Sequence, residues 1–310
     1  EELKEVFDLC LSCKACGSEC PSNVDIATLK TEFLYQYQEE NGYPLRGKLF
    51  AYNTKLNRFG SKLSGLTNAV YDSKLLSGLV KKASGVAENR SLPKVYSYNF
   101  DRHLQNAVGQ YSIIKSKVVL YIDEFTRYLD VEVGKDAIDL LVRLGYDVAL
   151  YYAESGRTYL SKGFLKQAKA LAIKNSTELK AFADKGLPIL GLEPSAILSF
   201  RDEYKRLTEN KVTAQRIADH SFLIEEFLAK EVEKGNLDAS AFTEDAKDVK
   251  IHNHCHQKAL SNQKVTFDIL NLPNNYKVSI ISSGCCGMAG SFGYEKEHYN
   301  VSMQIGELKL

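Results

Sequence analysis

The sequence predicts an α/β protein: a helical, cysteine-bearing segment and a helical linker, then a two-repeat region of mainly parallel strands covered by helices. Three observations carry this. From residue 111 onward, short apolar runs alternate with amphipathic segments, the pattern of a parallel sheet with helical crossovers. Two of these runs are followed by chemically distinctive residues, and a second such group recurs 30 positions later in each case. Before residue 46, helix-forming sequence follows a run of four cysteines. With 310 residues, 44% of them hydrophobic, the chain is long enough for one large or two moderate domains with a sizeable core.

The first segment, residues 1–45, opens with CLSCKACGSECP at 10–21. Ser22 and Asp25 resemble a capping box with Asp in place of Glu or Gln, DIATLKTEFLYQYQEE has helical composition, and Asn41-Gly42 ends the helix. Residues 46–110 read as a helical linker. Between Arg46 and Lys94 there are ten Lys or Arg and two Asp or Glu, a local +8 against +1 for the whole chain. Leu49, Phe50, Tyr52, Leu56 and Phe59 fall near helical spacing. One reading is a solvated basic face over a local core. The other is a docking face for an acidic partner or anionic lipid, a peripheral membrane contact.

In residues 111–310 the predicted strands are KVVLYI (117–122), DVALYY (147–152), LPILGL (187–192), VKIHNH (249–254) and KVSIIS (277–282). Asp123-Glu124 follows the first strand, and Glu154-Ser155-Gly156 comes 30 positions after Glu124. His254-Cys255 follows the fourth, and Cys285-Cys286-Gly287 comes 30 positions after Cys255. These read as two copies of one unit, at about 111–210 and 245–310, with carboxylates and a hydroxyl in the first where the second has thiols.

The near-neutral net charge argues against a general nucleic-acid binder. No apolar run approaches the roughly 18 residues of a membrane span, and no signal peptide is visible. The chain opens at EELKEV without Met and stops at GELKL inside a helix-like pattern, so a piece of a longer polypeptide is expected. The seven cysteines cluster in motifs instead of spreading as a secreted disulfide scaffold would, which points to a reducing cytoplasm and metal-binding thiolates.

C-x2-C-x2-C-x3-C-P has the spacing of a bacterial ferredoxin cluster loop. Three closely spaced thiolates wrap one iron–sulfur cube, with backbone N–H groups aimed at sulfur, and small residues such as Ala15 and Gly17 let the backbone approach. In two-cluster ferredoxins the fourth cysteine serves the other cluster. Cys10, Cys13 and Cys16 are therefore expected to hold one [4Fe-4S] cube and Cys20 to reach a second, whose partner run would lie upstream, leaving both clusters incomplete in these 310 residues. A zinc knot on the same four thiolates is the alternative.

Cys255, Cys285 and Cys286 each follow a strand and are expected to converge at carboxyl ends of the sheet, where open α/β folds build sites. A cluster, another iron or zinc ion, or a redox thiol pair are the functional readings. Buried structural cysteines are the plain one. His254 and His256 are candidates for a supporting ligand or proton donor. In strand alternation His252, His254 and His256 would share one face and Cys255 the other. In the first copy Glu124, Glu154 and Arg157, with Glu193-Pro194-Ser195 after the third strand, read most simply as an ion-paired loop.

DLCLSCKACGSECPSNVDIATLKTEFLYQY, ESGRTYLSKGF, EPSAILSFRDEY, HCHQKAL and GCCGMAGSFGYEKEHY together resemble the C-terminal iron–sulfur half of bacterial FAD-linked oxidases, the D-2-hydroxyacid dehydrogenases of D-lactate, D-2-hydroxyglutarate and glycolate oxidase type. The α/β part is similar to the CCG domain of heterodisulfide reductase and of the iron–sulfur subunit of anaerobic glycerol-3-phosphate dehydrogenase. The resemblance implies an upstream FAD domain, a partner cysteine set upstream, and a further Cys beyond the present end that would complete the set of Cys255, Cys285 and Cys286. The first repeat carries ESG in place of CCG, which departs from the fuller heterodisulfide-reductase pattern. The function this implies is passage of electrons from flavin through [4Fe-4S] clusters to a quinone or carrier protein, with no activity expected from the fragment alone. Expected partners are the FAD domain and that acceptor, with no nucleic acid and no transmembrane span. The expected location is cytoplasmic, with peripheral contact at the inner membrane face as the sharper form. A zinc-stabilised scaffold without redox role, or a heterodisulfide-reductase-like thiol protein, are the alternative functions.

Overall fold

The computed structural model describes residues 2–308, so Lys309 and Leu310 of the closing GELKL lie outside it. Two compact units share the chain. One comprises residues up to Ser97, Gly156–Ala168 and the segment from Ser282 onward; the other comprises Tyr98–Ser155 and Lys169–Ile281.

The second unit holds every strand, and the expected α/β class holds. β1 (Lys117–Ile122), β2 (Asp147–Tyr152), β3 (Ile189–Gly191) and β4 (Ser221–Leu223) form a sheet in the order β2-β1-β3-β4, and β5 (Lys247–Ile251) and β6 (Tyr276–Ile280) form a separate pair. All pairings are parallel. In the ladders Lys117 lies opposite Asp147 and Lys247 opposite Tyr276. A strand–helix–strand unit of nearly constant length therefore sets both intervals. β1 lies between β2 and β3 and is buried from Val118 to Ile122, which is why it reads as an unbroken apolar run. Leu120 and Ile122 join a core with Ile138, Leu141 and Phe227. Val119 and Tyr121 join another with Ile189, Ile197 and Phe200.

Three local differences have physical causes. AQRIADHSFLIEEFLAKEVEK reads as one amphipathic segment, yet it is two helices, Lys211–His220 and Ile224–Glu233, interrupted by β4. Pairing of Ser221 and Leu223 with Ile189 and Gly191 completes the sheet and overrides helical propensity. The expected cap at Ser22 is instead Asp25, whose side chain accepts Thr28 N–H ahead of the helix Ile26–Asn41. β5 ends at Ile251, so His252, His254 and His256 do not share a strand face. His254 caps a helix, Cys255–Leu260, in which Cys255 is the first residue.

In the first unit, the linker forms helices Leu45–Ala51, Asn53–Ser61, Ser64–Asp72 and Lys74–Ser84. The helix Arg157–Ser161 packs on Leu45–Ala51, and Thr158 Oγ1 donates to the Ala51 carbonyl at 2.9 Å. The C-terminal segment is fastened by Ala87 N–H donating to Tyr294 O at 2.8 Å and by the Val86–Glu295 bridge. The expected local core is only partly made: Leu56 and Phe59 are exposed.

Candidate metal centre

The four-cysteine loop is shaped by backbone that ordinary residues avoid. Ser12 and Lys14 take φ of 51° and 65°, left-handed values that coil the chain tightly between the thiols. Lys14 is buried and its ammonium lies 3.4 Å from Asp25 Oδ2. Asp25 Oδ1 accepts Thr28 N–H at 3.0 Å, and Oδ2 accepts the Thr28 hydroxyl at 2.6 Å. Burial pushes the Asp25 carboxyl up, but the Thr28 bonds and the Lys14 charge outweigh it and hold the group below its ordinary value. The cap starts the helix so that Ile26 N–H donates to Cys16 Sγ at 3.2 Å. Cys20 receives backbone N–H groups from Val24, Ser22 and Asn23, which lower its thiol. Burial raises the Cys13 thiol, offset in part by Ala15 N–H. Lys30 Nζ donates to the Cys10 carbonyl at 2.7 Å.

Cys285 and Cys286 belong to the same unit as this loop, and Cys285 is among the thiols whose charge bears on Cys13. Gly287 N–H donates to Cys285 Sγ at 3.3 Å. Gly287 has φ +78°, and a Cβ there would lie 1.9 Å from the Ser302 carbonyl oxygen, so the turn after the vicinal pair requires glycine. None of the seven cysteines is in a disulfide. Among the described residues no three His, Cys, Asp or Glu side chains are grouped closely enough to hold a metal ion.

Cys255 belongs to the second unit, where the carboxyl ends of the strands gather polar groups. Asp123, after β1, accepts Phe125 N–H at 2.8 Å and Thr126 N–H at 3.0 Å. Glu124 accepts Ser155 N–H at 2.8 Å and the Ser155 hydroxyl at 2.6 Å, which closes the loop after β2 onto β1. Tyr204 Oη donates to Ser155 O at 2.9 Å, and Asn175 Nδ2 to Tyr204 Oη at 2.7 Å. Burial, then the charge of Glu193, raises Asp123 to about 7; burial, then Asp123, raises Glu124 to about 8. Glu193, after β3, caps the helix Pro194–Ser199 and lies 3.6 Å from His254 Nε2. His254 Nδ1 accepts His256 N–H at 3.2 Å, so the neutral ring carries its proton on Nε2, toward Glu193. An imidazole and a carboxylate thus link the loops that follow β3 and β5.

The chain is similar to proteins named as dehydrogenases. It is 31% identical over 323 residues to D-2-hydroxyglutarate dehydrogenase of Pseudomonas putida, covering 98% of this chain and 30% of that protein. It is 28% identical over 317 residues to the Escherichia coli protein of the same name. Over nearly its whole length the chain is similar to D-2-hydroxyglutarate dehydrogenases. This bears out the resemblance read from the sequence, and the chain spans about a third of the length of these relatives. One subunit of the anaerobic glycerol-3-phosphate dehydrogenase of Escherichia coli is 25% identical over 289 residues, covering 92% of this chain and 72% of that subunit. No protein-family model matches the chain, and no solved structure does. No helix among the described residues is long and apolar enough to cross a membrane.

The donor chemistry of the loop fits an iron–sulfur cluster. The Ile26 N–H aimed at Cys16 sulfur, and the lowering of the Cys20 thiol by nearby backbone amides, favour thiolate charge as cluster ligands require. The sequence motif singles out the thiols as candidate ligands. It does not identify Lys14, Asp25 or Lys30 as their supports, because those contacts depend on how the helix Ile26–Asn41 returns across the loop.

Proposed function

We propose that this chain is the electron-transfer region of an FAD-linked D-2-hydroxyacid dehydrogenase. Cys10, Cys13 and Cys16 hold one [4Fe-4S] cluster and Cys20 reaches a second, completed by cysteines of an upstream segment that also carries the FAD domain. When bound, such clusters accept singly the two electrons that a flavin takes from a hydroxy acid. The chain's own work is to fix the thiolates and set their charge environment. Ile26 N–H and the amides of residues 22–24 stabilise sulfur charge, and the Asp25 cap keeps that amide array in place. Cys285 and Cys286 are a second pair of thiols for iron, zinc or reversible thiol redox in the unit of the loop, and Cys255, with His254 and His256 beside it, is a candidate ligand in the other unit. The acceptor is a quinone or carrier protein, and the protein works in the cytoplasm with peripheral contact at the inner membrane face. The fragment alone would not oxidise substrate.

The observation that carries this reading is the ferredoxin spacing together with the Ile26 N–H directed at Cys16. Anaerobic metal analysis of the polypeptide that carries this chain tests it. Iron with equal acid-labile sulfide, reduced in amount by Cys16→Ser, is expected. Stoichiometric zinc without visible absorbance would establish the scaffold reading in its place.

A further inference from the structure

The linker helices are built inside out. In Asn53–Ser61 the buried residues are Thr54 and Ser61, and in Lys74–Ser84 the buried residue is Ser77. Between them, Asn68 spends its side chain inward, exchanging hydrogen bonds with both backbone groups of Val95 at 2.9 Å. Val70, Tyr71 and Val80 are half-buried, while most leucines and Phe59 face outward. Leu56, Phe59, Leu63 and Leu66 are 52%, 74%, 61% and 65% exposed, within eleven residues of chain. Leu75 and Leu79 repeat the pattern on the next helix. The consecutive helices pack on one another, and Thr67 Oγ1 donates to Gly60 O at 3.0 Å, so these residues crowd one region of the first unit.

Charge selects the occupant. Lys55, Arg58 and Lys62 are exposed and interleave with these apolar residues, and Arg58 and Lys62 have no acidic partner among the described residues. Asp72, the one acidic residue on the four linker helices, is paired with Lys94 at 3.0 Å. Lysine is depleted from the cores of protein–protein interfaces, whereas lysine and arginine beside leucine and phenylalanine are the composition of helices that lie in a bilayer surface. A second copy would bring like charge against like.

We infer that the helices Asn53–Ser61, Ser64–Asp72 and Lys74–Ser84 form a monotopic membrane-docking surface. Leu56, Phe59, Leu63 and Leu66 enter the headgroup–acyl boundary of an anionic bilayer while Lys55, Arg58 and Lys62 bind its phosphate groups. This rests on the membrane-contact clause of the proposed function and on none of its cluster assignments.

These 310 residues contain no tryptophan, so Phe59→Trp in the complete polypeptide adds one reporter to the surface, read as the difference from the Phe59 protein, at an exposed position that should leave the fold intact. With vesicles of phosphatidylglycerol and phosphatidylcholine at low salt, its emission should shift to the blue and be quenched by brominated acyl chains. Pure phosphatidylcholine should bind about tenfold more weakly. Lys55→Glu/Arg58→Glu/Lys62→Glu should weaken partitioning about tenfold or more, and so should Leu56→Ser/Leu63→Ser. Unchanged emission with anionic vesicles overturns the inference and leaves an acidic protein as the occupant. Sedimentation with vesicles without a blue shift also overturns it, because charge alone would then hold the protein at the surface. Iron content should be the same in all variants; its absence would count against the clusters and not against the surface.

Discussion

Asp25 acts on both sides of the cysteine loop. It caps the helix that presents Ile26 N–H to Cys16, and it neutralises the buried Lys14 inside the loop. Asp25→Ala should cost about 1–2 kcal/mol in thermal or denaturant unfolding. Bound iron should fall more than that loss of stability alone would explain, because the amide loses its direction. Asp25→Asn should retain most of the cap and lose the charge opposite Lys14. Gly287→Ala forces a Cβ into the Ser302 carbonyl and should destabilise the protein by about 3 kcal/mol or more, read as a lower Tm. Asp123 and Glu124 set a pH dependence of definite sign. Both are raised by burial to about 7 and about 8. The folded state then binds more protons than the unfolded one from about pH 4 to about pH 8, so stability falls as pH rises through that range. Tm should decline from about pH 5 to about pH 9, and Glu124→Gln should flatten the decline. A Tm that rises across this window would show that both carboxylates are ionised and paired.

Among the elements, β1 and β2 were legible residue for residue, since KVVLYI and DVALYY are the strands observed. Their apolar character follows from central burial, and the 30-residue interval follows from the parallel ladder they form. β4 was not legible. Its three residues sit in a run of helical composition, and only the partner Ile189–Gly191 makes SFL a strand. The same limit hid the end of β5: nothing local distinguishes VKIHNH as a six-residue strand from a strand that stops at Ile251 so that His254 caps a helix. The junction after β4 depends on Glu226, which accepts Leu223 N–H at 2.9 Å and binds Arg201 Nη1 through both oxygens at 2.9 and 2.8 Å. Glu226→Ala leaves Arg201 without its carboxylate and the Leu223 amide unsatisfied, and should cost about 2–3 kcal/mol in urea unfolding with little change in m-value. Glu226→Gln should recover part of that loss.

At the scale of the whole molecule, the seven cysteines were legible as metal-site candidates but their grouping was not. Spacing joined Cys285 and Cys286 to Cys255, whereas the fold places the vicinal pair in the unit of the N-terminal loop, with Cys285 bearing on Cys13. Interval arithmetic follows the repeat, and the return of the last segment to the first helices is a tertiary choice that no local pattern records. The linker shows the converse. Its +8 charge was plain in the sequence, and the outward turn of Leu56 and Phe59 was not, because helical spacing alone suits a buried stripe equally well. The central claim is that the four-cysteine loop holds iron–sulfur chemistry. The most direct measurement is low-temperature electron paramagnetic resonance of the complete polypeptide carrying this chain, purified without oxygen and reduced with dithionite. The account predicts signals of reduced [4Fe-4S] clusters that diminish in Cys13→Ser and Cys20→Ser. A colourless protein with no signal before or after reduction would contradict it.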